Sequence, residues 1–180
     1  MNTGVVSMRY AKALLSYAKE QGAEDAIYGN MLQLMHTLQS VKELPVMLAS
    51  PSLTATQRLS LLCSAVDSSP VYENFMRLVI KEEREALLIF IAHSYITLYR
   101  KEKNIVAVTL TTAVTANDAL KEKVASMVGN GAEVEMLNVV DSSIIGGFIC
   151  ETDSRRLDAS VKRRLRDINE HLIKQNRKLV

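Results

Sequence analysis

Residues 86–114, ALLIFIAHSYITLYRKEKNIVAVTLTTAV, change their periodicity at Asn104. Before Asn104 the apolar side chains recur at the spacing of an amphipathic helix; they are Leu87, Ile91, Tyr95 and Leu98. Residues 105–114 are rich in β-branched side chains, which favour an extended strand. We therefore predict a helix over residues 86–103, a strand over residues 105–114, and a domain boundary at Asn104.

Upstream of this change, the sequence predicts five more short helices, each with its own start or stop signal. The start signals are Ser7, the capping box of Thr54 with Gln57, and Ser69 followed by Pro70. Gly22 is suited to a left-handed helix exit, and two prolines bracket a short helical piece at residues 46–49. In the fifth helix, Phe75, Leu78 and Val79 are the predicted inward residues.

Downstream of Asn104, helices and strands alternate. We predict a helix that is capped by Thr115, turns Val124 and Met127 inward, and ends at Gly129. Strands over residues 134–140 and 144–151 follow, and then a helix over residues 159–175. Gly146-Gly147 falls inside the second of these strands, where it indicates a bulge or, less often, the close approach of another backbone.

These elements predict the fold class and the domain organisation. We expect a mainly α protein with an N-terminal six-helix bundle over residues 1–104. A small α+β C-terminal domain would follow over residues 105–180.

The composition and the motifs argue against a catalytic site. The formal net charge is only +2, so no overall field draws the chain to nucleic acid or anionic lipid. Cys63 and Cys150 stand far apart, as expected of two buried thiols in a reducing compartment. The sequence has no GxSxG elbow and no P-loop, and its three histidines lack metal-ligand spacing. We expect no enzymatic activity, no metal and no cofactor.

No membrane span or leader is expected either. The longest apolar run, residues 86–92, is far shorter than the ~20 residues of a membrane-spanning helix. The N-terminal residues show neither a secretion signal nor a transit peptide. We therefore expect a soluble protein of bacterial origin.

The C-terminal residues 155–180 carry an unusual local charge. They hold nine Lys or Arg residues against three Asp or Glu residues. A basic amphipathic helix of this kind can bind nucleic acid, anionic lipid or an acidic protein helix, or it can present a solvated face. No aromatic residue is interleaved with Lys162, Arg163, Arg164 and Arg166, so base stacking is unsupported.

Several segments together resemble the delta subunit family of the F-type ATP synthase, the family of the oligomycin-sensitivity-conferring protein. The motifs that carry the resemblance are Arg9-Tyr10-Ala11-Lys12-Ala13-Leu14, the segment 75–84, Ile144-Ile145-Gly146-Gly147-Phe148 and Leu157-Asp158-Ala159-Ser160-Val161. The likeness covers essentially the whole chain. In two places the sequence departs from the family's usual pattern: Lys81-Glu82-Glu83 stands where the family usually has a Glu-Asn pair and one more residue, and Ala159 stands where Gly is commoner.

The resemblance implies a peripheral-stalk, or stator, subunit that stops the catalytic head from turning with the rotor. The N-terminal bundle would bind the N-terminal helices of the head's alpha subunits, mainly through its first and fifth helices. The implied contact residues are Arg9, Tyr10, Ala13, Leu14, Tyr17, Phe75, Met76 and Val79. Tyr10 and Leu14 are equally consistent with the bundle core.

The resemblance further implies that the C-terminal domain binds the b subunits of the stalk. The implied contact residues are Val161, Leu165, Ile168 and Leu172. The subunit would lie at the cytoplasmic face of the bacterial inner membrane, attached only through the complex and bound to no nucleic acid. The alternative function is a small helical nucleic-acid-binding factor that uses the basic C-terminal helix.

Overall fold

The computed structural model describes residues 3–50, 52–129 and 131–177, without the side chains of residue 172 and residues 174–177. The chain divides into two compact units, and the division falls between Lys103 and Asn104. The fold is mainly helical, and a small four-stranded sheet lies in the second unit.

In the described residues of the first unit, all the regular secondary structure is helical. Its helices are α1 (Thr3–Glu20), α2 (Glu24–Ser40), α3 (Glu43–Leu48), α4 (Ala55–Ser64), α5 (Pro70–Lys81) and, after a 3-10 turn at Glu85–Leu87, α6 (Leu88–Lys103). Helix α6 packs against α1 and α2. The buried side chains between them are aliphatic or aromatic, among them Leu14, Ile27, Met31, Leu34, Ile91 and Tyr95. Removing this apolar surface from water stabilises the unit.

Local signals set several of the helix ends. The Thr54 hydroxyl accepts a hydrogen bond from the backbone N–H of Gln57, and the Gln57 side chain accepts one from the backbone N–H of Thr54, as in the predicted capping box. Ser69 caps α5 by accepting from the backbone N–H of Tyr72. Gly22 ends α1 with a φ of +61°, which confirms the predicted left-handed exit.

Three predictions for the first unit are wrong. Helix α1 begins at Thr3, so Ser7 lies inside it, where its buried hydroxyl donates to the carbonyl oxygen of Thr3 at 2.8 Å. Helix α3 begins before Pro45, because proline is tolerated in a first helical turn. Leu78 is 47% exposed and does not enter the core.

A polar and aromatic cluster fastens the end of α6 to the start of α2. The Tyr99 hydroxyl donates to the carboxylate of Asp25 at 2.6 Å, and the Tyr99 ring stacks on Tyr28. The hydrogen bond from Tyr99 lowers the pKa of Asp25, and burial raises the pKa of Tyr99 to about 12. The C-terminal end of α6 is therefore held within the first unit, and only Asn104 separates it from the first strand.

The second unit is a sheet with two helices. Its elements are β1 (Ile105–Thr112), α7 (Asp118–Gly129), β2 (Glu133–Val140), a 3-10 turn at Ser142–Ile144, β3 (Phe148–Thr152), β4 (Arg156–Asp158) and α8 (Val161–Arg177). The strand order is β2-β1-β3-β4; β1 pairs in parallel with β2, and the other pairs are antiparallel. The side chains of Val108, Leu110, Val124 and Cys150 form the core of this unit.

Three predictions for the second unit are wrong, and one strand was not predicted. Helix α7 is capped by Asn117, whose side-chain oxygen accepts from the backbone N–H of Leu120 at 3.0 Å, and not by Thr115. Met127 is largely exposed. The third strand begins at Phe148, so Gly146-Gly147 lies in a turn and does not form a bulge. The three-residue strand β4 was not predicted, because it is too short to show a period.

Candidate protein-binding faces

The first candidate face lies where α1 and α5 pack side by side. The rings of Tyr10 and Phe75 meet edge to face, with their centroids 6.4 Å apart. Two turns further along α1, the hydroxyl of Tyr17 accepts a hydrogen bond from the side-chain amide of Asn74, the residue before Phe75, at 3.3 Å. These contacts join the two helices, and the rings of Tyr10 and Tyr17 stay partly accessible beside them.

The eight residues implied for this face divide into two groups by burial. Arg9 and Ala13 are exposed, and Tyr10 and Tyr17 are half-buried, so these four can reach a partner. The buried group consists of Leu14, Phe75, Met76 and Val79. These four side chains pack in the core, so they can only support the face from beneath.

One accessible residue near this face was assigned to the core from the sequence. Leu78 lies three residues after Phe75 and four after Asn74, so it lies on the same side of α5 as both. It is an exposed apolar residue beside two residues that contact α1. The hydrophobic spacing of α5 could not have shown this, because Leu78 continues the same apolar stripe as Phe75 and Val79.

The second candidate face is the apolar stripe of α8. Leu165 is 53% exposed and Ile168 is 56% exposed, and Val161 begins the stripe one turn earlier. The side chain of Leu172, the fourth implied residue, lies outside the described residues. The basic residues Lys162, Arg163, Arg164 and Arg166 are all exposed on the same helix. The helix therefore presents apolar and basic groups together to the surroundings.

The start of α8 is anchored to the turn before β3. The backbone N–H of Val161 donates to the carbonyl oxygen of Gly146 at 3.0 Å, and that of Ala159 donates to Phe148 at 2.9 Å. A Cβ on Gly147 would lie 2.3 Å from the carbonyl oxygen of Ala159, and the φ of Gly147 is +76°. Only glycine fits at this position, so the close approach of the Ala159 backbone explains Gly147.

Two side chains complete this anchor. The Asp158 carboxylate accepts from the backbone N–H of Ser160 at 3.0 Å, and the Ser160 hydroxyl accepts from the backbone N–H of Arg163 at 3.1 Å. The hydrogen bonds from the Ser160 side chain and backbone lower the pKa of Asp158. These contacts satisfy backbone donors in the first turn of α8 and fix the point at which the helix leaves the sheet.

A cleft in the second unit is lined by both apolar and polar residues. It has a volume of about 710 Å³ and is lined in part by Val106, Met127, Cys150 and Leu157. Burial raises the pKa of the Cys150 thiol, which disfavours the reactive thiolate. Among the residues that the structure describes, no group of His, Cys, Asp and Glu could hold a metal ion. None of the described helices combines the length and the apolar character needed to cross a membrane.

Known proteins are similar to this chain in sequence and in fold. The family model of the ATP synthase delta (OSCP) subunit matches residues 6–172. The ATP synthase subunit delta of Bacteroides fragilis is 38% identical over 186 residues, and that of Bacteroides thetaiotaomicron is 37% identical over 186 residues; each match covers 100% of both chains. The subunit delta of Synechococcus elongatus is 34% identical over 166 residues, with 89% of this chain and 92% of the relative covered.

A chain of the Toxoplasma gondii mitochondrial ATP synthase hexamer, solved by cryo-electron microscopy, has the same fold. Its TM-score is 0.67 at 23% identity, with 93% of this chain and 97% of that chain covered. The match of the family model over most of the sequence and the full-length relatives agree with each other. This chain belongs to the ATP synthase delta (OSCP) subunit family.

Proposed function

We propose that this chain, a non-catalytic stator subunit of a rotary ATP synthase, does its work through two helix contacts made by two separate units. The observation that carries the proposal is that each compact unit presents its own accessible helix face. The first unit acts as a six-helix bundle that binds the catalytic head. The second acts as an α+β domain that binds the stalk. Rotation is coupled to ATP synthesis only if both contacts hold at the same time.

The face between α1 and α5 is suited to the N-terminal helices of the head's alpha subunits. Exposed Ala13 stands between the half-buried rings of Tyr10 and Tyr17 on α1. A small residue between two aromatic residues lets another helix approach closely and bury its apolar side against the rings. Arg9 and Leu78 extend this surface, and the four buried residues keep its shape.

The face of α8 is suited to the long helices of the b subunits. Leu165 and Ile168 would become buried against an apolar stripe of the partner. Full burial of such side chains contributes about 1.5–3 kcal/mol each. The exposed arginines and lysine beside them favour an acidic partner and raise its association rate.

Membership of the family does not support the alternative of a nucleic-acid-binding factor. In this proposal the basic residues of α8 form the rim of a protein contact. The family also places the chain as a peripheral subunit of a membrane-bound complex. We propose that the chain lies at the cytoplasmic face of a bacterial inner membrane and is attached to the membrane only through the complex.

The head contact is tested by calorimetry with a synthetic peptide of the alpha subunit's N-terminal helix. We expect saturable one-to-one binding to the full chain. Ala13→Arg should weaken it at least tenfold, because a long charged side chain would stand where the peptide must approach closely. Ala13 is exposed, so the variant should keep the circular dichroism spectrum of the folded chain.

The matched control is Ala119→Arg, the same change at an exposed position of α7 in the other unit. It should bind the peptide like the unmodified chain. Equal binding by Ala13→Arg and Ala119→Arg would show that the α1–α5 face is not the contact. No binding by the folded unmodified chain would contradict the head contact altogether.

A further inference from the structure

Ile145 has a backbone conformation that a β-branched residue rarely adopts. Its φ is 71° and its ψ is −40°, at the end of the 3-10 turn of Ser142–Ile144. Positive φ brings the Cβ atom of an L-residue against its own backbone, and branching at Cβ makes this worse. Glycine would adopt the same conformation without strain, and glycine occupies the next two positions of the chain.

Packing inside the unit does not compensate for this strain. The Ile145 side chain is 62% exposed, whereas its neighbour Ile144 is buried. An exposed isoleucine gains little from the hydrophobic effect within its own chain. A strained residue whose side chain points away from the core is a candidate for a role outside the fold.

The turn places Ile145 beside the start of the α8 stripe. Gly146, the next residue, accepts a hydrogen bond from the backbone N–H of Val161. A Cβ built on Gly146 would lie 3.2 Å from Cγ2 of Val161, so the Val161 side chain lies directly over this turn. Ile145 is therefore next in sequence to the turn residue that Val161 covers, and Ile145 and Val161 are both exposed apolar residues near the start of α8.

The surroundings of this surface indicate the chemistry of its partner. The exposed Lys162, Arg163 and Arg166 flank the stripe, and residues 155–180 hold nine basic against three acidic residues. An apolar strip with a basic rim matches an amphipathic helix whose polar side is acidic.

We propose that Ile145 is a binding residue of the stalk contact, held in a strained turn so that its side chain packs on the b-subunit helix together with the α8 stripe. The inference rests on the function proposed above for α8. It assigns the backbone strain at Ile145 to binding and not to folding.

The test replaces Ile145 by glycine in the full chain and measures two quantities. The probe is the water-soluble helical part of the b subunit from the same organism, titrated by calorimetry. Ile145→Gly should raise the Tm by about 2–4 °C, because the strain is relieved. The same variant should bind the probe about tenfold more weakly, because an apolar contact is lost.

Opposite signs in stability and affinity distinguish binding from a structural role. A higher Tm with unchanged affinity would overturn the proposal, since Ile145 would then contribute nothing to the contact. A lower Tm would also overturn it, because the side chain would then be supporting the fold. Ile145→Val keeps the strain and most of the side chain, and it should change the affinity by less than about threefold.

Two controls locate the effect. Glu83→Gly relieves a positive φ of 52° in the first unit, so it should raise the Tm without changing the affinity for the probe. Met127→Ala removes an exposed apolar side chain at the cleft of the second unit and should also leave the affinity unchanged. Weaker binding by Met127→Ala and not by Ile145→Gly would move the contact to that cleft and overturn the proposal.

A further variant separates this inference from the proposed function. Leu165→Asp should abolish binding of the probe if α8 carries the stalk contact at all. If the unmodified chain does not bind, or Leu165→Asp binds normally, the proposed stalk function fails. If Leu165→Asp loses binding while Ile145→Gly keeps it, only the role of Ile145 fails.

Discussion

Gly147 shows how one residue can fix the place where a helix starts. Its φ of +76° and its closeness to the backbone of Ala159 leave no room for a side chain. The carbonyl of Gly146 and that of Phe148 accept the backbone N–H groups of Val161 and Ala159. Gly147 therefore allows two stretches of backbone to meet at the start of α8.

Replacing Gly147 by alanine should destabilise the second unit by about 2–4 kcal/mol, because the new Cβ would be strained and would also clash. Urea denaturation measures the change. Gly131→Ala is the matched control: Gly131 has a φ of +90°, but a Cβ there would meet nothing within 4 Å. Gly131→Ala should lower the free energy of unfolding by about 1 kcal/mol, from backbone strain alone. If both variants lost the same free energy of unfolding, the close contact with Ala159 would contribute nothing to the cost of Gly147→Ala.

At the scale of elements, helix ends were predictable where the signal is local. The capping box at Thr54, the Ser69-Pro70 start and the Gly22 exit depend on residues within one turn of each other. The turn at Gly146-Gly147 depends on Ala159, twelve residues further along the chain, so the apolar run around it resembled a strand. Sequence periodicity does not contain such a contact.

The two candidate faces also differ in how far the sequence predicts them. The stripe of α8 is visible in the sequence, because its apolar residues recur on one side of a strongly charged helix. On α1 and α5 the same spacing marks an apolar side, but it does not tell which residues a neighbouring helix covers. Leu14, Met76 and Val79 are buried, whereas Leu78 is exposed, and the spacing alone does not distinguish them.

The anchor of α8 should respond to acid through Asp158. Hydrogen bonds from Ser160 hold its pKa below the usual value in the folded state, so the ionised carboxylate stabilises the fold above the unfolded pKa of about 3.9. That stabilisation is lost as the pH falls through the lower folded pKa. We expect Asp158→Asn to be less stable than the unmodified chain at pH 7, with a difference that shrinks as the pH falls below 4.

Urea denaturation of both proteins at several pH values measures this difference. The ionised carboxylate also faces Arg156 and Arg163, so the measurement is best made at one fixed ionic strength. A difference that stays constant from pH 7 to pH 3 would mean that ionised Asp158 does not stabilise the start of α8.

At the scale of the whole molecule, the division of the chain into two compact units fits the proposal that each unit binds its own partner. The first unit carries the α1–α5 face and the second carries the α8 face. Each face belongs to a unit with its own buried core, so damage to one face should leave the other contact intact. A chain that bound both partners with a single unit would not show this independence.

The most direct measurement is sedimentation velocity of the isolated catalytic head mixed with the water-soluble part of the b subunit, with and without this chain. We predict a three-component complex only when the chain is present. Leu165→Asp should leave the chain on the head and release the b subunit, and Ala13→Arg should do the reverse. A three-component complex that survives either substitution, or a substitution that releases the partner assigned to the other face, would contradict the account.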